Sequence, residues 1–183
     1  MRAAAVLLAG AMILSLIGSW AEASEQRIAL VIGNSQYQNA PALANPVNDA
    51  KDMAATLSKL GFDVIVGTDL SKIQMEQIIR DFAEKLTDAD AGLFFYAGHG
   101  FQVGSENYLV PVDARLTTLA STDFEIVSLN LVQRAMERAT PTNVIILDAC
   151  RDNPFARNLR LSFGSRSVAV KPGLARMEAG RGR

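Results

Sequence analysis

Apolar positions along this chain fall into two alternating kinds of run. Residues 27–33 (RIALVIG), 62–66 (FDVIV), 91–97 (AGLFFYA) and 143–148 (NVIILD) are short and nearly continuously apolar. Such runs indicate β-strands buried in a sheet. Between them the apolar residues recur at helical spacing. Asn45-Pro46 offers an N-cap and a first-turn proline. Val47, Ala50, Met53, Ala54, Leu57 and Leu60 then mark one face, and Gly61 ends it. Ser71 and Gln74 have the spacing of a capping box, opening a helix that buries Met75, Ile78, Ile79, Phe82 and Leu86. Residues 128–139 predict a third helix with Leu131, Val132, Ala135 and Met136 inward. Residues 101–111, with Gly104-Ser105 in the middle, suggest a hairpin.

Strands alternating with helices predict an α/β fold with a mainly parallel sheet covered on both faces. Ligands of such sheets bind beyond the carboxyl ends of the strands. His99 lies just past the third apolar run and Cys150 just past the fourth. The chain has one histidine and one cysteine, and both are expected at the same sheet edge, on neighbouring strands.

Composition narrows the possible chemistry. A single cysteine excludes a disulfide scaffold, and a single Cys with a single His argues against a zinc site. A net charge of −1 with 49% apolar residues excludes a disordered polymer. The N-terminus has a basic start, an apolar stretch from Ala3 to Ile17, and Ala21-Glu22-Ala23 as a small-x-small cleavage pattern. Residues 1–23 are therefore expected to be a signal peptide, giving a periplasmic or secreted protein with no stable membrane span after cleavage. Residues 24–157 are expected to form the globular domain. Residues 158–183 are expected to be a basic, irregular tail, since 151–183 hold eight basic and two acidic residues. No aromatic platform accompanies that charge, so no nucleic-acid partner is expected.

A thiol is a good nucleophile as thiolate, and a neighbouring imidazole can take its proton. The acyl-transfer intermediate also needs donors for its oxyanion. In Tyr96-Ala97-Gly98-His99-Gly100 the amide of Gly100 is one expected donor, and that of Cys150 is another. Gly98, Gly100 and Gly104 do not have the spacing of a dinucleotide-binding loop.

Residues 32–64 (IGNSQYQNAPALANPVNDAKDMAATLSKLGFDV), then FFYAGHG at 94–100 and VIILDACRDNPF at 144–155, resemble the caspase-like domain of bacterial metacaspase and orthocaspase relatives. His99 and Cys150 are 51 residues apart, close to the separation of about 50 in caspases. The resemblance implies a three-layer α/β/α caspase-like fold with strand order 2-1-3-4. It also implies cysteine endopeptidase activity from a His99–Cys150 dyad, with Gly100 in the oxyanion hole. Asp49 and Asp148 match positions of an acidic pocket, which implies cleavage after Arg or Lys. Paired carboxylates in a partly dry pocket would hold a guanidinium bidentately.

Three departures accompany the match. Ala97 stands where metacaspases usually have Ser, and Arg151-Asp152-Asn153-Pro154 follows the cysteine. The family's small-subunit-like C-terminal strands are expected to be missing after residue 183. No cofactor is implied; calcium activation occurs among metacaspases, but no calcium ligand set is identifiable in this sequence, and no metal residue is assigned. Expected partners are peptide or protein substrates, with a homodimer conceivable through an open sheet edge. The alternative is a truncated, non-catalytic caspase-like module for protein–protein interaction.

Overall fold

The structure is a computed structural model that describes residues 25–118, 120–150, 155, 170–172 and 174. The expected signal peptide and most of the basic tail lie outside the described residues. Among the described residues there are seven strands: β1 (Arg27–Gly33), β2 (Phe62–Thr68), β3 (Ala91–Val103), β4 (Glu106–Leu109), β5 (Val127–Ser128), β6 (Thr142–Cys150) and β7 (Val170–Pro172). The helices are α1 (Pro46–Lys59), α2 (Lys72–Lys85), α3 (Ser121–Glu125) and α4 (Leu129–Ala139).

β2, β1, β3 and β6 lie side by side and pair parallel, in that order. This is the expected 2-1-3-4 arrangement, with β6 as the fourth parallel strand. Leu93, Phe95 and Ala97 of β3 join Ala29 and Val31 of β1 in packing against α1. The alternate residues, Phe94 and Tyr96 with Ile28, Leu30 and Ile32, pack against Met75, Ile79 and Phe82 of α2 and Val132 and Met136 of α4. Period-2 alternation in one strand thus supplies both interfaces of a three-layer fold.

Local chemistry sets the helix boundaries. Pro46 occupies the first turn of α1, and the Asn45 carbonyl accepts from the amides of Asn48 and Asp49. At α2 the capping box is complete: the Ser71 amide donates to the Gln74 side chain at 2.9 Å, and Ser71 Oγ accepts from the Gln74 amide.

Several expectations need correction. β3 does not end at Ala97 but runs thirteen residues, so His99 lies inside the strand. Its far half pairs antiparallel with β4, making the expected hairpin through Gly104, whose φ is +62°. Leu60 lies beyond α1 and is exposed. Leu131 is exposed, whereas Leu129, just C-terminal to Ser128, is fully buried. The buried stripe of α4 is Leu129, Val132 and Met136, and Leu131 is turned about 100° from Val132 and about 160° from Leu129. The tail is not wholly irregular, because β7 pairs antiparallel with Gln102 and Val103 of β3.

The sheet is not covered on both faces everywhere. β6 pairs only with β3 among the described residues. Val144 is 43% exposed and Ile146 37%, on the face that α1 covers farther along the sheet.

Candidate active site

His99 and Cys150 are direct register partners across the parallel β3–β6 pair, as are Gly98 with Ala149 and Ala97 with Asp148. Two residues far apart in sequence are thereby placed on adjacent strands at the carboxyl end of the parallel sheet. The pairing follows from hydrophobic register, since Phe95 pairs with Ile146 and Tyr96 with Leu147 just before it.

The imidazole is heavily constrained. His99 is only 4% exposed. Its Nε2 lies 3.1 Å from the Pro41 carbonyl oxygen, so Nε2 carries the proton and donates. Nδ1 is buried with no hydrogen-bond partner among the described residues. That tautomer leaves the Nδ1 lone pair available to accept a proton. Burial pulls the imidazole pKa below its ordinary 6.5, with the Pro41 hydrogen bond opposing the shift. The Tyr37 ring stacks beside it, centroids 4.4 Å apart and planes tilted 49°.

Gly98 has φ +153°, and a Cβ there would sit 2.6 Å from Tyr37 Oη and 2.7 Å from Tyr96 Oη. The position therefore requires glycine on two counts, backbone conformation and space. Gly100 pairs with Leu109 of β4. The neighbouring His99 carbonyl accepts from Val110 N at 3.1 Å, which makes Gly100–Leu109 a non-hydrogen-bonded pair. The Gly100 amide consequently points away from β4, toward the edge where β3 pairs with Cys150 on one side and Lys171 on the other.

The two carboxylates are less tightly placed. Asp49 is half-buried in the first turn of α1, beside the β1–α1 loop that carries Tyr37 and Pro41. Asp148 lies one pleat before Cys150 and is exposed. The partly dry setting expected for this carboxylate is not what surrounds Asp148. It lies on the open face of β6, in line with Val144 and Ile146, where water solvates it.

A separate cleft of about 270 Å³ opens between Lys72, Tyr108, Asp123 and Leu131, and contains neither His99 nor Cys150. Burial and the hydrogen bond to Glu106 push the Tyr108 hydroxyl up to about 12. No charge change at that phenol accompanies ordinary pH. Among the described residues no group of three or more His, Cys, Asp or Glu converges as a metal site. No helix among them is long and apolar enough to cross a membrane.

Sequence reasoning missed Tyr37 and Pro41. Tyr37 is the one aromatic residue in a polar loop, SQYQN, and that isolation is the only signal it gave. Pro41 acts through its carbonyl, which no side-chain pattern advertises.

The chain is similar to known proteins. A family model for the caspase domain matches residues 26–178. The human mucosa-associated lymphoid tissue lymphoma translocation protein 1 is 33% identical over 128 residues, covering 70% of this chain and 15% of that protein. Caspase-1-A of Xenopus laevis is 25% identical over 135 residues, covering 68% of this chain and 34% of its own length. This chain thus spans well under half of these relatives. The crystal structure of protein GSU0716 from Geobacter sulfurreducens superposes with a TM-score of 0.53 at 20% identity, covering 68% of this chain and 50% of that one. That likeness concerns the fold. Matched by the family model over most of its length and carrying the 2-1-3-4 parallel core, the chain belongs to the caspase domain family.

Proposed function

We propose that this domain is an exported cysteine endopeptidase of metacaspase type, cleaving peptide bonds after Arg or Lys. The observation that carries the reading is the register pairing of His99 with Cys150, with His99 Nδ1 left unprotonated by the Pro41 contact. His99 takes the thiol proton, and the Cys150 thiolate attacks the scissile carbonyl. The amides of Gly100 and Cys150 stabilise the oxyanion, and the imidazolium returns its proton to the leaving amine. Water then attacks the acyl-enzyme with His99 again as base. The chemistry uses side chains and amides of this chain throughout.

Asp49 and Asp148 select the basic residue before the cut. With Asp148 exposed, its contribution is that of a partly screened charge, and Arg exceeds Lys by its bidentate geometry. The test is a panel of fluorogenic peptides differing only at the residue before the cut, with wild type, Cys150→Ala and Asp148→Ala. Cleavage after Arg and Lys that vanishes in Cys150→Ala is expected. Cleavage after Asp, or an Arg preference unchanged in Asp148→Ala, overturns the specificity assignment. Turnover by Cys150→Ala overturns the peptidase itself. Export is tested by sequencing the mature N-terminus, expected at Ser24.

A second reading is a caspase-like module that binds another chain. Its support is the β6 edge, paired on one side among the described residues and flanked by exposed Val144 and Ile146. Sedimentation that shows a dimer while the peptide panel shows no turnover would favour it.

A further inference from the structure

We propose that Tyr37 and Tyr96 are positioning residues that hold the backbone of His99 in a closed ring of hydrogen bonds; the inference rests on reading His99 as the base.

The His99 amide donates to Tyr37 Oη at 2.8 Å. Tyr37 Oη lies 3.4 Å from Tyr96 Oη. Tyr96 Oη in turn donates to the His99 carbonyl at 2.8 Å. One donor direction satisfies all three contacts: His99 N–H to Tyr37, Tyr37 O–H to Tyr96, Tyr96 O–H to His99 C=O. Tyr96 Oη also lies 3.1 Å from the Val110 carbonyl, so its one proton is shared between that carbonyl and the nearer His99 carbonyl; the ring keeps a single donor direction, and its bonds polarise one another. All three residues are buried, Tyr96 completely. Water does not compete for these groups.

The ring joins two elements. Tyr37 comes from the β1–α1 loop, and Tyr96 and His99 from β3. The same loop supplies Pro41, whose carbonyl fixes Nε2. Tyr37 therefore ties the acceptor of the imidazole to the strand that bears it, while its ring limits rotation of the imidazole from the side. Gly98 is the space that lets both hydroxyls reach the backbone of one residue, His99. Neither tyrosine touches the reacting atoms. They act through His99, by fixing where its Cα and ring plane stand.

The two hydroxyls are not equivalent. The His99 carbonyl keeps Val110 N as a donor when Tyr96 loses its oxygen, whereas Tyr37 Oη is the acceptor for the His99 amide. Tyr37→Phe, which keeps the ring and removes the oxygen, is expected to be the more damaging change.

The test uses the fact that the chain holds one histidine and one cysteine. In untagged protein, nitrogen NMR reads the His99 tautomer alone, and iodoacetamide reads Cys150 alone. Wild type is expected to show a fixed Nε2–H tautomer. Tyr37→Phe is expected to give averaged tautomers, with Cys150 alkylation and kcat lowered about 10- to 100-fold and KM within about twofold, as expected for a misplaced base. Tyr96→Phe should fall between that and wild type. A folded Tyr37→Phe with wild-type tautomer and alkylation rate overturns the proposal. So does a wild-type protein in which Nδ1 carries the proton, a result that needs no variant to fold. His99→Ala separates the two layers: alkylation unchanged in that variant defeats the dyad, while the tautomer measurement still decides the ring.

Discussion

The two strands that meet at the site are built differently. Around His99, β3 has strand neighbours on both sides, a loop laid against its imidazole and only 4% of the residue exposed. Around Asp148, β6 has β3 on one side among the described residues, and alternate side chains of its apolar run face solvent. His99 is over-determined, whereas β6, which carries Cys150, has β3 as its one strand partner among the described residues. On the proposed reading, the pair thus divides into a preorganised half and a half held, among the described residues, by one ladder of parallel hydrogen bonds. That division explains why glycine is required at Gly98, where tyrosine oxygens crowd the backbone, while β6 tolerates a charged residue two positions before its end.

The largest effect should come from removing either member of the pair. His99→Ala and Cys150→Ala are each expected to lower turnover at least a thousandfold, and the double variant little further, because such residues act as a unit. Single-turnover kinetics on the peptide panel would check this, and additive losses would break the pairing inferred from register.

The next contrast is energetic. Phe94, fully buried between β1, α2 and α4, should lose about 3–5 kcal/mol on replacement by Ala. Ile146, 37% exposed, should lose about 1–2 kcal/mol by the same replacement, since over a third of it is already in water. Urea unfolding of the two variants measures the difference. Comparable losses would mean that another segment covers β6 in solution.

A smaller effect concerns pH. Burial holds the His99 pKa below 6.5 in the folded state, while the unfolded chain titrates near 6.5. The unfolded state therefore takes up the proton first. The contribution of neutral His99 is fully present above pH 6.5 and is lost as pH falls through the folded value. Wild type should lose stability over that window relative to His99→Gln, compared by urea midpoints from pH 8 to pH 5. Parallel curves would show the imidazole to be wetter than its 4% exposure implies.

Much of the frame could be read from residues because its signals are local. The β1 run, the Pro46 start of α1 and the Ser71–Gln74 box each announce themselves within a few positions. The adjacency of His99 and Cys150 was also legible, as two strand ends of one parallel sheet. The continuation of β3 through Gly98-His99-Gly100 was not, because glycines read as a turn when their tertiary reason, two tyrosine oxygens, is invisible. β5, β7 and α3 span two, three and five residues, too few for any periodicity. Leu131 and Asp148 were misjudged for one reason: composition says that a residue is apolar or charged, and only the neighbours say whether it is covered.

The length of β3 has a consequence for how the protein is made. Its residues meet β1 from upstream, but the parallel partner β6 follows a crossover, and Cys150 is synthesised 51 residues after His99. At about 5–20 residues per second, β3 waits roughly 3–10 s on the ribosome before its second parallel neighbour exists. During that interval Phe94 and Tyr96 lack the cover of α4, and one full ladder of β3 is open to foreign strands. The nascent domain is thus most exposed to mispairing in a narrow stretch of elongation, and slow codons between 100 and 150 would lengthen it.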